Sequence, residues 1–254
     1  MKRYETDLSD NQWQILRKYL ETKRKRKYNL REVLNAIFYV NKTGCQWAFL
    51  PKDFPPYWVC FYYFNTWKRN GLIDKIQAAL VRQARKNQGK NMQPTAAIID
   101  SQSTKSTFVK SESNGIDGNK HVKGVKKHIS TDTNGFILTV VISPANIHDS
   151  KGAKNVITEL AHKYKKVRKI FADQAYGGSL VQWAKNEYGI AIEIIPRIKK
   201  KIFEVLRKRW IVERTFAWMD TNRRNSKYYE RLDSTGVAMI QMSSIRMMLN
   251  GICK

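Results

Sequence analysis

The chain is poor in acid. Of its 254 residues only 21 are Asp or Glu, against 47 Lys and Arg, and the formal net charge is +26. That imbalance argues against a positively charged ligand and points to a polyanion, either nucleic acid or an acidic membrane surface. Cysteine is scarce too. Cys45, Cys60 and Cys253 are odd in number and have no CxxC spacing, which excludes a disulfide framework and a zinc knuckle and favours a reduced, intracellular protein. Long apolar runs are missing. The most apolar stretch, Phe136 to Ser143, is closed by Pro144, far short of the ~20 residues a spanning helix needs. No apolar signal region follows Met1–Asp7, so a soluble protein is expected. Hydrophobic residues still make up 42 % of the chain, enough for a proper core, and the length fits one large domain or a small one joined to a larger one.

The first third reads as helical. Ser9 or Asp10 can cap a helix whose stripe is Trp13, Leu16 and Leu20. A run of five bases, Lys23 to Lys27, interrupts the pattern. A second helix starts at Asn29, with Leu30, Val33, Leu34, Ile37 and Phe38 on one side and Gly44 to stop it. Pro51, Pro55 and Pro56 mark a loop, and Tyr57–Trp67 then places seven aromatics in eleven residues. Helices joined by glycine turns on a basic surface resemble a helix-turn-helix module, so residues 1–81 are expected to form a helical DNA-binding region. Residues 82–94, with no apolar side chain between Ala84 and Met92, read as a linker.

From residue 95 to 254 the pattern turns to strands. Ala96–Ile99 is a short apolar run. Val122–Thr131 and Phe136–Ser143 flank Asn134-Gly135, a strong hairpin signal. Residues 149–164 have helical spacing; strands at 167–172 and 190–195 alternate with helices at 178–188 and 203–224. An antiparallel start followed by βα units predicts an α/β fold with a mixed sheet flanked by helices.

Two aspartates share one kind of position. Asp100 ends the strand Ala96–Ile99 and Asp173 ends the strand 167–172, where sites of α/β sheets usually lie. An ionised carboxylate beside an apolar strand needs a compensating partner. Glu213 is the third candidate, with Arg209 one helical turn before it on the same face. Three carboxylates from two strand ends and a helix are what a pair of Mg²⁺ ions would use, hard cations that keep oxygen ligands and bridge to phosphate. Asp132 sits in an Asp-Thr-Asn-Gly turn, where local backbone bonding explains it better than a metal role. Asp149 is expected as a helix N-cap. Arg197, Lys199, Lys200, Lys201, Arg207 and Lys208 lie in a strongly basic segment and are candidates for phosphate contact, with Lys126 and Lys127 added from the basic strand.

In this order, the motifs resemble those of bacterial insertion-sequence transposases with an acidic DDE triad, of the insertion-sequence-four and -five group, most like the five family. The matching segments are Ile98–Lys105, Asp117–Lys120, Lys123–His128, Thr131–Gly135, Ser143–Asp149, Ala172–Gly177 and Arg209–Trp218. In the first third they are Leu8–Trp13, Leu30–Tyr39, Thr43–Trp47 and Leu50-Pro51. The resemblance implies an RNase H-like fold for residues 95–254. It also implies metal-ligand roles for Asp100, Asp173 and Glu213, with Arg209 orienting Glu213. The expected activity is DNA transposition: binding of element ends, cleavage that exposes 3′-hydroxyls, and joining to target DNA with two Mg²⁺ ions, for which Mn²⁺ can substitute. Double-stranded DNA would be the partner, the protein a homodimer or larger assembly on it, and the bacterial cytoplasm, at the nucleoid, its place. The family pattern around the glutamate has a tyrosine and a lysine where this chain has Leu206 and Asp220. Two alternatives stay open: an RNase H-like nuclease without strand transfer, and a non-catalytic repressor derived from a transposase.

Overall fold

The computed structural model describes residues 3–21, 24–107, 111–195 and 209–253. The chain begins with helices α1 (Asp10–Leu16), α2 (Leu30–Thr43), α3 (Tyr57–Arg69) and α4 (Leu72–Asn87). Ser9 caps α1 in a reciprocal capping box with Gln12. Asn29 caps α2 by accepting from the Arg31 amide, and Gly44, at φ 73°, closes it in the left-handed conformation that glycine tolerates best. The helical stripes read from sequence are the buried faces: Leu16, Leu20, Leu30, Val33, Leu34, Ile37 and Phe38 are all buried.

Then come β1 (Ala96–Lys105), β2 (Gly115–Asp117), β3 (Val122–Thr131), β4 (Ile137–Pro144), α5 (Asp149–Lys163), β5 (Lys169–Ala172), α6 (Ser179–Tyr188), β6 (Ala191–Ile194), α7 (Arg209–Asp220), the single turn α8 (Arg223–Ser226) and α9 (Asp233–Ile252). The sheet runs β2-β3-β1-β5-β6, with β4 also on β3. β1, β3 and β4 are antiparallel neighbours, while β5 and β6 continue parallel to β1. This is the expected α/β mixed sheet flanked by helices, in keeping with an RNase H-like fold.

Alternation along each strand decides what covers it. Ala97, Ile99, Ile170 and Ala172 face a core that includes Val156, Ile157 and Leu160 of α5 and Leu180 and Ala184 of α6. Ile98, Ile129 and Phe171 face the other way, into a cluster with Ile211, Val212, Phe216 and Met219 of α7 and Ile240 of α9.

Four sequence readings change. The linker over 82–94 is helical through Asn87, with Ala84 and Arg85 buried. Beyond Arg85, residues 86–91 are exposed, in keeping with their lack of apolar side chains. β1 runs six residues past Ile99, because Ser101–Lys105 pair with β3 although they are polar. Helix α9, not foreseen, buries Met239, Met242, Ile245, Met248 and Leu249 against the N-terminal helices, so one hydrophobic core reaches from Leu8 to Leu249. The helix expected over 203–224 is described only from Arg209 and ends at Asp220.

Candidate active site

Asp100 and Asp173 come together through the sheet register. On the parallel strands β1 and β5, Ile98 pairs with Phe171. Two residues further along each strand stand Asp100 and Asp173, the latter in extended conformation at φ −82°, ψ 179°. Neighbouring strands are about 4.8 Å apart, so the two carboxylates leave adjacent strands: Asp173 stands just past the end of β5, whereas Asp100, expected at a strand end, lies midway along β1 because β1 continues to Lys105. Both share the parity of Ile98 and Phe171 and thus the face covered by α7. Each is held by a local amide: Ser101 N donates to Asp100 Oδ1 at 2.8 Å, and Ala175 N donates to Asp173 Oδ1 at 2.9 Å.

Helix α7 is fixed at its middle and at its end. At its middle, Thr215 Oγ1 donates to Gly135 O at 3.0 Å and Arg214 donates to Asn134 O at 3.0 Å. At its end, Gln102 Nε2 on β1 donates to Asp220 Oδ2 at 2.8 Å. The helix therefore runs along β1 from the 132–136 hairpin towards Gln102. Glu213 lies seven residues before Asp220, two turns away on almost the same face, and about 200° around the helix from the hairpin-facing Thr215. Its side chain lies on an exposed part of α7. Arg209 opens the helix; its side chain lies outside the described residues, as do Arg197, Lys199, Lys200, Lys201, Arg207 and Lys208.

Among the described residues, no three His, Cys, Asp or Glu side chains are grouped closely enough to hold a metal ion by themselves. Asp100 and Asp173 offer carboxylate oxygens only, the chemistry that suits a hard divalent cation and not zinc. Tyr176, fully buried beside these acids, shows how negative the place is. Burial drives its hydroxyl well above its ordinary pKa, and Asp100, Asp149 and Asp173 push in the same direction.

Beside Asp100 lies a network centred on Asp149. Asp149 is the first residue of α5 and not its cap; His148 takes that place, with its ring nitrogen accepting from Ser150 N. The Asp149 carboxylate instead meets Ser101 Oγ at 2.8 Å and Lys126 Nζ at 2.9 Å. Burial alone would raise its pKa, but the bonds from Lys126 and Ser101 outweigh it and hold it below the usual range. Lys126 also donates to Ile147 O at 2.8 Å, and Asp117 accepts from Ser103 Oγ at 2.5 Å. Lys127 points to the opposite face, only 1 % exposed, and donates to Asn225 O. Burial lowers it to about 8, partly countered by Asp220. The expectation that Lys126 and Lys127 touch phosphate is thus corrected: both ammoniums are interior and bonded to protein acceptors. Asp220, where the family pattern has lysine, provides the negative charge facing Lys127.

His128 completes the buried layer, with Nε2 and Ser143 Oγ 2.9 Å apart. Its ring fills the space beside Gly152, where an added Cβ would come within 2.2 Å of it. Burial depresses its pKa to about 4, with Lys126 adding to the effect and Asp149 opposing it. Between pH 6.5 and 4 the unfolded chain binds a proton that the folded one refuses, so this contribution is intact above pH 6.5 and lost as pH falls towards 4. The urea midpoint should drop across that window, by roughly 3 kcal/mol of stability at its lower end, and His128→Asn should flatten the drop. An unchanged pH dependence in that variant would show that other groups cause it.

Asp132, read as a turn residue, is that and more. Its Oδ1 accepts from Asn134 N and Phe136 N, both at 2.9 Å, closing the hairpin. Its Oδ2 forms a buried ion pair with Arg85 of α4.

The described residues contain no helix long and apolar enough to cross a membrane. Two family models match the chain: "Putative transposase of IS4/5 family" over residues 8–77 and "Transposase DDE domain" over residues 91–248. A curated relative, "Putative transposase for insertion sequence element IS402" of Burkholderia cepacia, is 30 % identical over 115 residues, which cover 42 % of this chain and 54 % of that protein. The chain thus spans about half the length of the curated relative it matches. The DDE-domain match takes in the sheet, α5 to α8 and most of α9, with Asp100, Asp173 and Glu213 inside it, and the chain belongs to the DDE-domain transposase family, in its IS4/5 group.

Proposed function

We propose that this protein is a DNA transposase that cleaves phosphodiester bonds at the ends of an insertion sequence and joins the resulting 3′-hydroxyls to target DNA. What supports this reading is the in-register pair of Asp100 and Asp173 on adjacent parallel strands, on the sheet face covered by α7, the helix that contains Glu213. Members of this family generally use divalent metal ions. In this reading Asp100, Asp173 and Glu213 hold two Mg²⁺ ions, which, when bound, supply Lewis-acid activation of the attacking oxygen and stabilisation of the leaving one. In this scheme Asp100 would serve both ions, and Asp173 and Glu213 one each. Arg209, one turn from Glu213, keeps that carboxylate oriented. Residues 95–254 carry this chemistry, and residues 1–81 bind the element ends as part of a homodimer or larger assembly. The basic segment around Arg197, Lys199, Lys200, Lys201 and Lys208 supports the reading through its charge, which would offset the phosphates brought to the site. A cytoplasmic protein working at the nucleoid accords with it.

The rival is a nuclease of the same fold. A duplex carrying a pre-cleaved element end, incubated with Mg²⁺ and a supercoiled target plasmid, should yield covalently joined product. Hydrolysis without any joined product under these conditions would favour the nuclease.

A further inference from the structure

The aromatic segment of α3 is only partly used by the core. Cys60, Phe64 and Trp67 are buried, but Trp58 is 62 % exposed and Tyr62 61 % exposed. They stand four residues apart, one turn along the same helix face. This face borders a groove of about 830 Å³ whose other wall is the basic loop. Arg24, Lys25, Arg26 and Lys27 line it, against a single acid, Glu21, which is 3.6 Å from Arg26. Lys27 lies 5.5 Å from the centre of the Tyr28 ring. Tyr63 and Trp67 stack obliquely at 5.4 Å behind the exposed rings.

A helix that reads duplex DNA presents hydrogen-bonding side chains to base edges in the major groove. The exposed residues in the first half of α3 are Tyr57, Trp58, Phe61 and Tyr62, which offer flat faces instead. Rings beside a cationic rim are the combination that binds unpaired strands: bases stack on the aromatics while lysines and arginines follow the phosphates. Large apolar rings left in water also mark an interaction surface, and the charge of the opposite wall selects a polyanion over a second copy of this equally basic chain.

We infer that the groove between residues 24–27 and α3 binds an unpaired DNA strand, with bases stacked on Trp58 and Tyr62 and phosphates against Arg24, Lys25 and Lys27. This site is independent of the carboxylates, and its test needs no metal. With the full-length protein in EDTA, fluorescence anisotropy would compare a labelled twelve-nucleotide oligo-dT with a twelve-base-pair duplex. Trp58→Ala and Tyr62→Ala should each weaken oligo-dT binding about tenfold while changing duplex binding less than threefold. Trp58→Phe, which keeps a ring, should recover part of the loss. Lys25→Gln and Lys27→Gln should each reduce the salt slope for the single strand by about 0.7. Both rings are at the surface, so thermal unfolding of the variants should match that of the parent. Undiminished oligo-dT binding in the double ring variant would overturn the inference, as would an equal loss on the duplex. Tighter binding of an oligo-rU of the same length would assign the groove to RNA instead. Conversion of a dimer to a monomer by the ring substitutions, with oligo-dT binding intact, would make the surface an interface between copies.

Discussion

Asp173→Asn should abolish strand cleavage, lowering the rate at least ~10³-fold, because loss of one charged ligand from a metal site removes several kcal/mol of transition-state stabilisation. The substitution isolates chemistry from folding. Asp173 Oδ1 accepts the Ala175 amide at 2.9 Å, and an asparagine oxygen can keep that bond and the turn it closes. The melting temperature and binding of an element-end duplex should therefore change little. Glu213→Gln, on an exposed part of α7, should behave in the same way. A gel assay of end cleavage with Mg²⁺, repeated with Mn²⁺, reads the outcome, and a parental rate in either variant would remove that residue from the metal set.

Asp132→Ala should cost about 3–5 kcal/mol of stability, since it leaves a buried guanidinium without its counter-charge. Arg85 is 7 % exposed at its side chain and Asp132 is fully buried. For a chain of this length the melting temperature should fall by about 6–20 °C. The pair joins two parts of the molecule. Arg85 belongs to α4, and Asp132 organises the hairpin that accepts Thr215 and Arg214 from α7, the helix that carries Glu213. Loss of the hairpin geometry should therefore also reduce cleavage, although Asp132 touches no substrate in the proposed mechanism. Arg85→Met with Asp132→Ala removes both charges, and calorimetry of the singles and the double gives their coupling. A double variant as unstable as the sum of the two singles would argue against the ion pair as the cause.

The shared core bears on how the two halves can be separated. Val33, Ile37, Phe38 and Leu80 lie in one cluster with Met242, Ile245 and Leu249 of α9. Deleting the N-terminal helices would expose that cluster, so surface substitutions such as those at Trp58 and Tyr62 are the cleaner probes of what this region binds.

Much of this was readable along the chain, for local reasons. Ser9, Asn29 and Gly44 bound their helices because capping involves only neighbouring backbone. Asn134-Gly135 made its hairpin, and the position of Asp173 just past β5 followed from an apolar run that stops, whereas Asp100 lies within β1. Other features depended on partners far away in sequence. The Ser101–Lys105 segment looks like a loop until β3 supplies its hydrogen bonds. Arg85 looks like a linker residue until Asp132, 47 positions later, neutralises it. Lys126 and Lys127 look like a phosphate-binding pair until the sheet sends one to Asp149 and the other to Asn225. What the sequence determined by itself was the helical first third, the strand order and the three acids within a strongly basic chain, because periodicity, caps and charge are properties of short segments. What only the tertiary structure decided was which charges are interior, which rings remain in water, and that two aspartates 73 positions apart leave adjacent strands on one face, because register and burial come from pairing between distant parts of the chain.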